Sequence, residues 1–188
     1  MLEAFTPHRP GMPEEMTMLL ERYPRDSWDA HPGFKEKTRQ WLGAHQMFRA
    51  LAEKLRLDAE TYLDRQLDGA DYGERLSRVG GTLIGNLQGH HAWEDRSYFP
   101  ELSAADARFD AGLDILEKDH AELDGVLERF FRDGNRAVKL IQLDETQARD
   151  DVGAVHGLAE VIEGFLDRHL TDEENLAVPI ILHHRLRR

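Results

Sequence analysis

Apolar residues return every three or four positions along four long stretches of the chain, the pattern of amphipathic helices. The first stretch, residues 33–57, carries Phe34, Trp41, Leu42, Phe48, Ala52 and Leu55 on one stripe. The second, 72–99, is striped by Leu76, Val79, Leu83 and Leu87, and Pro100 is placed to end or kink it. The third, 105–133, repeats Phe109, Leu113, Leu116, Leu123, Leu127 and Phe130, with Gly134-Asn135 as its stop. The fourth, 145–177, carries Val155, Leu158, Ile162 and Leu166; Pro179 then kinks it or opens a C-terminal turn with Ile180, Ile181 and Leu182. No stretch alternates apolar and polar residues convincingly, so no strand is expected. Helices of this length run to about 40 Å at 1.5 Å rise, which is bundle geometry. The expectation is an all-α, up-down-up-down four-helix bundle over residues 33–188. Residues 58–71 read either as a fifth short helix or as part of the crossing between the first two.

Composition agrees. Leu and Ala number 43 against 20 for Val, Ile and Thr, and helices favour the former while strands favour the latter. Five of the seven prolines (Pro7, Pro10, Pro13, Pro24, Pro32) fall in residues 1–32. That segment reads as an irregular, extended N-terminal arm with one short helix at about residues 14–23.

The stripes are not wholly apolar. His45, His90, His120 and His169, one per long helix, sit at mid-stripe. A buried imidazole needs a partner for its ring nitrogens. Any one of these histidines alone reads as a satisfied core residue; four on four facing stripes call for a common explanation, and a metal supplies it. Glu94 and Glu173 follow His90 and His169 by four residues, so each His–Glu pair shares a helix face. An unpaired carboxylate on such a stripe is very unfavourable.

The spacing repeats. His45 to His90 is 45 residues and His120 to His169 is 49; each HxxxE is followed by a second acid, Asp95 or Glu174, and then by a proline. The chain therefore reads as two helical hairpins, each offering one lone histidine and one HxxxE. Four imidazoles and two carboxylates suit two metal ions, two histidines to each and both glutamates bridging.

Other features narrow the function classes. There is no cysteine, which excludes disulfides, thiolate chemistry and iron–sulfur clusters. The net charge of −12 disfavours nucleic acid as a partner. No apolar run reaches membrane-spanning length, and the first residues lack a signal-peptide pattern. The expected setting is cytoplasmic, with no membrane partner; the sequence names no protein partner.

The segments WLGAHQMF, HHAWEDRSYFPEL, LEKDHAEL and HLTDEENLAVPIIL resemble the hemerythrin-like (HHE cation-binding) family over about residues 33–182. The resemblance implies an oxo- or hydroxo-bridged pair of iron ions. His45, His90, His120 and His169 would be imidazole ligands, with Glu94 and Glu173 as bridges. It implies a small diatomic ligand or peroxide as the partner of the site: dioxygen, nitric oxide or hydrogen peroxide. The chain departs from the oxygen carriers of the family at Asp124, where they have a fifth histidine. Their fourth-helix carboxylate falls at Glu174; Glu173 is preferred because it mirrors Glu94. Without the fifth histidine both metals would keep an open position, which favours redox chemistry over reversible carriage. His91 is either a bundle-interface residue or an extra ligand. A metal-dependent sensor or a structural zinc bundle is the alternative, zinc being less suited to six converging groups.

Overall fold

In the computed structural model, residues 11–186 are described. Among them the chain is helical throughout, without strands. The elements are α1 (Met18–Arg22), α2 (Glu36–Leu63), α3 (Gly69–Trp93), a π-helical turn (Glu94–Tyr98), α4 (Phe99–Ala105), α5 (Asp110–Leu143) and α6 (Glu145–His184). Short 3-10 turns at Glu14–Met16, Arg25–Ser27 and Ala107–Phe109 complete the list. The fold is the expected all-α bundle.

The helix ends differ from the pattern in instructive ways. Residues 58–63 belong to α2, and the crossing to α3 is only residues 64–68. Arg65 adopts φ 60° there, and the Asp68 carboxylate accepts from the Asp71 amide at 2.9 Å to start α3. Gly134 does not stop α5. Ala137 beyond it is fully buried, and burial outweighs the roughly 1 kcal/mol helix penalty of a glycine. The break comes at Asp144, whose side chain accepts from the amides of Thr146 and Gln147 and so caps α6. Pro179 lies inside α6; the buried Ile180, Ile181 and Leu182 that follow hold the helix in register past it. Pro100 likewise does not end the second stretch but lies at the start of α4, which continues directly from the π-helical turn.

Two compact units divide the chain. One takes residues 48–89 and 121–166 of the described chain, the other 11–47, 90–120 and 167–186. The first is packed by Leu55, Leu83, Leu87, Leu127, Phe130 and Ile162, with Tyr62 and Tyr72 stacked at 4.9 Å. Gly80 of α3 packs closely there: a Cβ would come within 3.3 Å of the Phe130 ring, which would have to give by a few tenths of an ångström.

The second unit carries the candidate chemistry. Its core joins Trp41, Tyr98, Phe99, Leu102, Phe109, Leu116, Leu176 and Ile180 with Met16, Leu19 and Trp28. The segment read as an arm is therefore, over residues 11–32, short helical turns whose apolar side chains are core. Its alternation of prolines and large apolar residues hid this, because no one turn is long enough to show a period. Residues 1–10, which include His8, Pro7 and Pro10, lie outside the described residues, as do Arg187 and Arg188.

Trp28 is buried and donates its indole N–H to the Tyr23 carbonyl at 2.8 Å. Trp28→Ala is expected to destabilise the protein by roughly 3–5 kcal/mol in urea denaturation. Leu143→Ala, at a position 82% exposed, should stay within about 0.5 kcal/mol. Equal effects of the two would mean that the N-terminal segment does not belong to the core.

Candidate metal centre

All six residues singled out in the sequence lie in the second unit, delivered by four helical segments. Donor atoms of His45, His90, Glu94 and Glu173 all lie within 4.8 Å of one another, and so do those of His91, His120 and His169. The two groups touch through the glutamates. Glu94 Oε1 is 2.8 Å from His90 Nε2 and 3.9 Å from His45 Nε2, while its Oε2 is 3.7 Å from His120 Nε2. Glu173 Oε2 is 3.5 Å from His45 Nε2 and 3.8 Å from His169 Nε2.

Three of the imidazoles are held from behind. His45 Nδ1 donates to Glu174 at 3.1 Å, His120 Nδ1 to Asp95 at 2.7 Å, and His169 Nδ1 to Asp119 at 3.2 Å. A carboxylate can only accept, so the Nδ1 atoms carry hydrogens and the Nε2 atoms face inward. Carboxylate–histidine pairs of this kind orient metal-binding imidazoles and raise their basicity. Glu174 is in turn bound by Arg25 at 2.7 Å. Glu173 thus faces the cluster and Glu174 stands behind His45.

The pairing crosses the internal repeat. Asp95, from the first hairpin, holds the lone histidine of the second; Glu174, from the second, holds the lone histidine of the first. The acid that follows each HxxxE in the sequence was visible as a repeat but had no assigned task. Asp119 carried only its adjacency to His120 as a signal. Trp41, whose indole N–H donates to Glu94 Oε1 at 2.7 Å, and Arg25 carried none, since both read as ordinary core and surface residues.

Asp124 and the histidines at 156, 183 and 184 lie elsewhere. Asp124 is exposed, and His156 is half-buried beside Glu60 at 3.2 Å in the first unit. His183 pairs with Tyr23, and His184 lies 2.8 Å from Asp106.

Electrostatics mark the cluster as built for cations. Glu94, Glu173, His45 and His169 are fully buried, and His91 is 3% exposed. Among the described residues, the ion-pair partners of Glu94 and Glu173 are all imidazoles. Burial, and then the charge of Glu94, push the Glu173 carboxyl well above the usual range. Burial acts on Glu94 too, but the facing His45 and His90 rings overcome it and hold that carboxyl low. Burial, followed by the neighbouring His120 and His169, pushes His91 down to about 2. Burial takes His169 down to about 4 against the opposing hydrogen bond to Asp119. These two rings are neutral at pH 7, the state that donates to a metal.

Metal fits the atoms left over. Both ring nitrogens of His91, His120 Nε2, Glu94 Oε2 and both oxygens of Glu173 are buried without a hydrogen-bond partner. Buried polar atoms are normally satisfied, and divalent cations would satisfy these six together. The donor set, nitrogen and carboxylate oxygen without sulfur, suits iron, manganese or zinc.

The model of the hemerythrin HHE cation binding domain matches residues 36–181. The chain belongs to this family. No curated protein and no solved structure is significantly similar to it. The HHE match spans every residue of the cluster and stops short of Arg25. It also leaves out the core residues Met16, Leu19 and Trp28, which precede the matched range. No described helix is long and apolar enough to cross a membrane.

An imidazole held neutral in the folded protein but free to protonate near 6.5 when unfolded favours the unfolded chain once pH falls below 6.5. The loss grows with acid until the folded value is reached. Metal-free protein should therefore lose stability as pH falls below about 6.5, and His91→Phe should lose less over the same window. Parallel urea-denaturation series on the two proteins read the difference. Identical slopes would mean that His91 is not held neutral.

Proposed function

We propose that the protein is a non-haem di-iron protein that binds or processes dioxygen, nitric oxide or peroxide, in a cytoplasmic setting. The observation that carries this reading is the set of inward-facing imidazole nitrogens, locked by carboxylates behind them, around two buried glutamates whose ion-pair partners among the described residues are those imidazoles. His45 and His90 would hold one iron; His120 and His169, with His91 beside them, would hold the other; Glu94 and Glu173 would span both. A di-iron pair supplies one- and two-electron redox chemistry toward small oxygen and nitrogen ligands.

The protein's own residues prepare that chemistry. Asp95, Asp119 and Glu174 fix the ring orientations and keep the Nε2 atoms facing inward. Glu94 and Glu173 contribute two negative charges, which offset part of the charge of two cations and so lower the cost of their burial. Trp41 holds Glu94 Oε1 in place through its N–H. The buried Phe99 beside His120 and Trp41 beside His45 shield the imidazoles from water, and a dry site strengthens every electrostatic contact in it.

His91 changes what the sequence implied about openness. The fifth imidazole missing at position 124 would come instead from the residue after His90. One iron would then take three imidazoles and the other two, so that only the His45/His90 side keeps a place for an exogenous ligand.

Aerobic, iron-loaded protein should contain about 2 Fe per chain and absorb in the near ultraviolet as oxo-bridged iron does, with the ligand-set logic of His and carboxylate sites. Glu94→Ala and Glu173→Ala should each lose the bands and most of the iron, and Asp124→Asn should keep both. Peroxide or nitric oxide consumption should vanish with the bands. Colourless protein holding zinc in stoichiometric amount overturns the reading. Azide titration should find one binding place per chain, rising to two in His91→Ala; two in the unaltered protein would assign His91 to packing alone.

A further inference from the structure

The two sides of the cluster differ in what surrounds them. Beside His120 lies Phe99, stacked at 5.5 Å, a ring that resists oxidation. Beside His45 lies Trp41, with ring centroids 4.2 Å apart. Trp41 meets Tyr98 edge-on at 5.3 Å, and Tyr98 stacks on Trp93 at 5.0 Å with the planes 16° apart. Trp41 and Tyr98 are buried, whereas Trp93 is 40% exposed. An unbroken row of oxidisable rings thus runs from the cluster to solvent. Two of the chain's three tryptophans are in it, and there is no cysteine to serve instead.

A local distortion makes the row. Residues five apart on an α-helix point about 140° away from each other, so Trp93 and Tyr98 would not stack on a regular helix. The π-helical turn at Glu94–Tyr98 widens the helix to i→i+5 bonding and brings the two rings together. Such turns weaken hydrogen-bond geometry and occur frequently at functional sites. The same turn begins at Glu94, so the cluster's glutamate and the stacked pair share one irregularity.

We propose that Trp41, Tyr98 and Trp93 form an electron route from the solvent-exposed indole to the buried metal cluster; this rests on the di-iron reading above. The oxidant is hydrogen peroxide acting at the cluster. Each electron drawn along the route leaves Trp93 as an indolyl radical, and its Nε1 proton passes to water. A thiol reductant in solvent then returns one electron and one proton to the indole. Over a cycle, one hydrogen peroxide and two thiols become two waters and one disulfide. Without a reductant, the radical on Trp93 is trapped by dioxygen, and the indole gains oxygen atoms. Electron tunnelling falls steeply with distance, and every step along the row is between neighbouring rings. The row also confines oxidising equivalents to the surface, where they are quenched, and away from the core leucines.

The test compares full-length protein loaded with iron and with zinc, each exposed to hydrogen peroxide without reductant, with peptide mass spectrometry of every tryptophan. Iron-loaded protein should oxidise Trp93 several times more than zinc-loaded protein, and rapid freezing should trap an aromatic radical visible by electron paramagnetic resonance. Tyr98→Phe keeps the ring and its packing but is much harder to oxidise. With iron content unchanged, it should bring Trp93 oxidation down toward the zinc level, and dithiothreitol should do the same in the unaltered protein. Equal oxidation of Trp93 in the iron and zinc forms would reduce the effect to peroxide attacking an exposed indole and overturn the route. An unchanged yield in Tyr98→Phe would do so as well, because the electron would then pass directly between Trp93 and His90, 6.3 Å apart. Iron and its bands retained with Trp93 unoxidised removes the route alone; failure to bind iron removes the di-iron reading and the route together.

Discussion

Two buried glutamates whose ion-pair partners, among the described residues, are imidazoles alone are the constraint around which the second unit is organised. The cost of an uncompensated buried carboxylate is several kcal/mol even after relaxation. The metal-free protein limits it by raising the Glu173 carboxyl while the facing imidazoles keep Glu94 ionised. That arrangement is a poor resting state and a good cation cradle. Everything nearby serves the cradle: imidazoles in front, carboxylates behind them, and Arg25 anchoring one of those carboxylates from a segment that the matched domain does not include.

The internal repeat gives this site its economy. Each hairpin brings a lone histidine, an HxxxE and a trailing acid, and the trailing acid of one orients the lone histidine of the other. Neither hairpin can build its half of the cluster alone. Folding of the second unit and assembly of the site are therefore one event, and metal binding adds directly to its stability. The symmetry is incomplete in two places. His91 has no counterpart after His169, where Leu170 stands, and the π-helical turn after Trp93 has none in α6, which continues through Glu173 as regular helix. Both departures belong to the first hairpin's second helix.

Much of this was legible beforehand because it rests on period. The four stripes located the long helices, and histidines interrupting those stripes located the centre. What period could not supply was anything set by a neighbour in space. The end of α5 went beyond Gly134 because Ala137 is buried; α6 ran through Pro179 because three apolar residues follow it into the core. The N-terminal segment hid its core role in turns too short to show periodicity. Asp119 and Arg25 act across more than 45 residues of chain on atoms behind the ligands, and only packing reveals such partners. The π-helical turn is the extreme case, since HHAWEDRSYF reads as ordinary helix and its five-residue spacing of Trp93 and Tyr98 argues against their meeting.

Mössbauer spectroscopy of full-length protein loaded with the iron-57 isotope reads the proposed centre most directly. Three imidazoles on one side and two on the other predict two distinct iron environments in equal amounts, coupled into a diamagnetic pair. A spectrum of isolated, paramagnetic iron, or iron present in a single environment at half the expected amount, would contradict the account at its root.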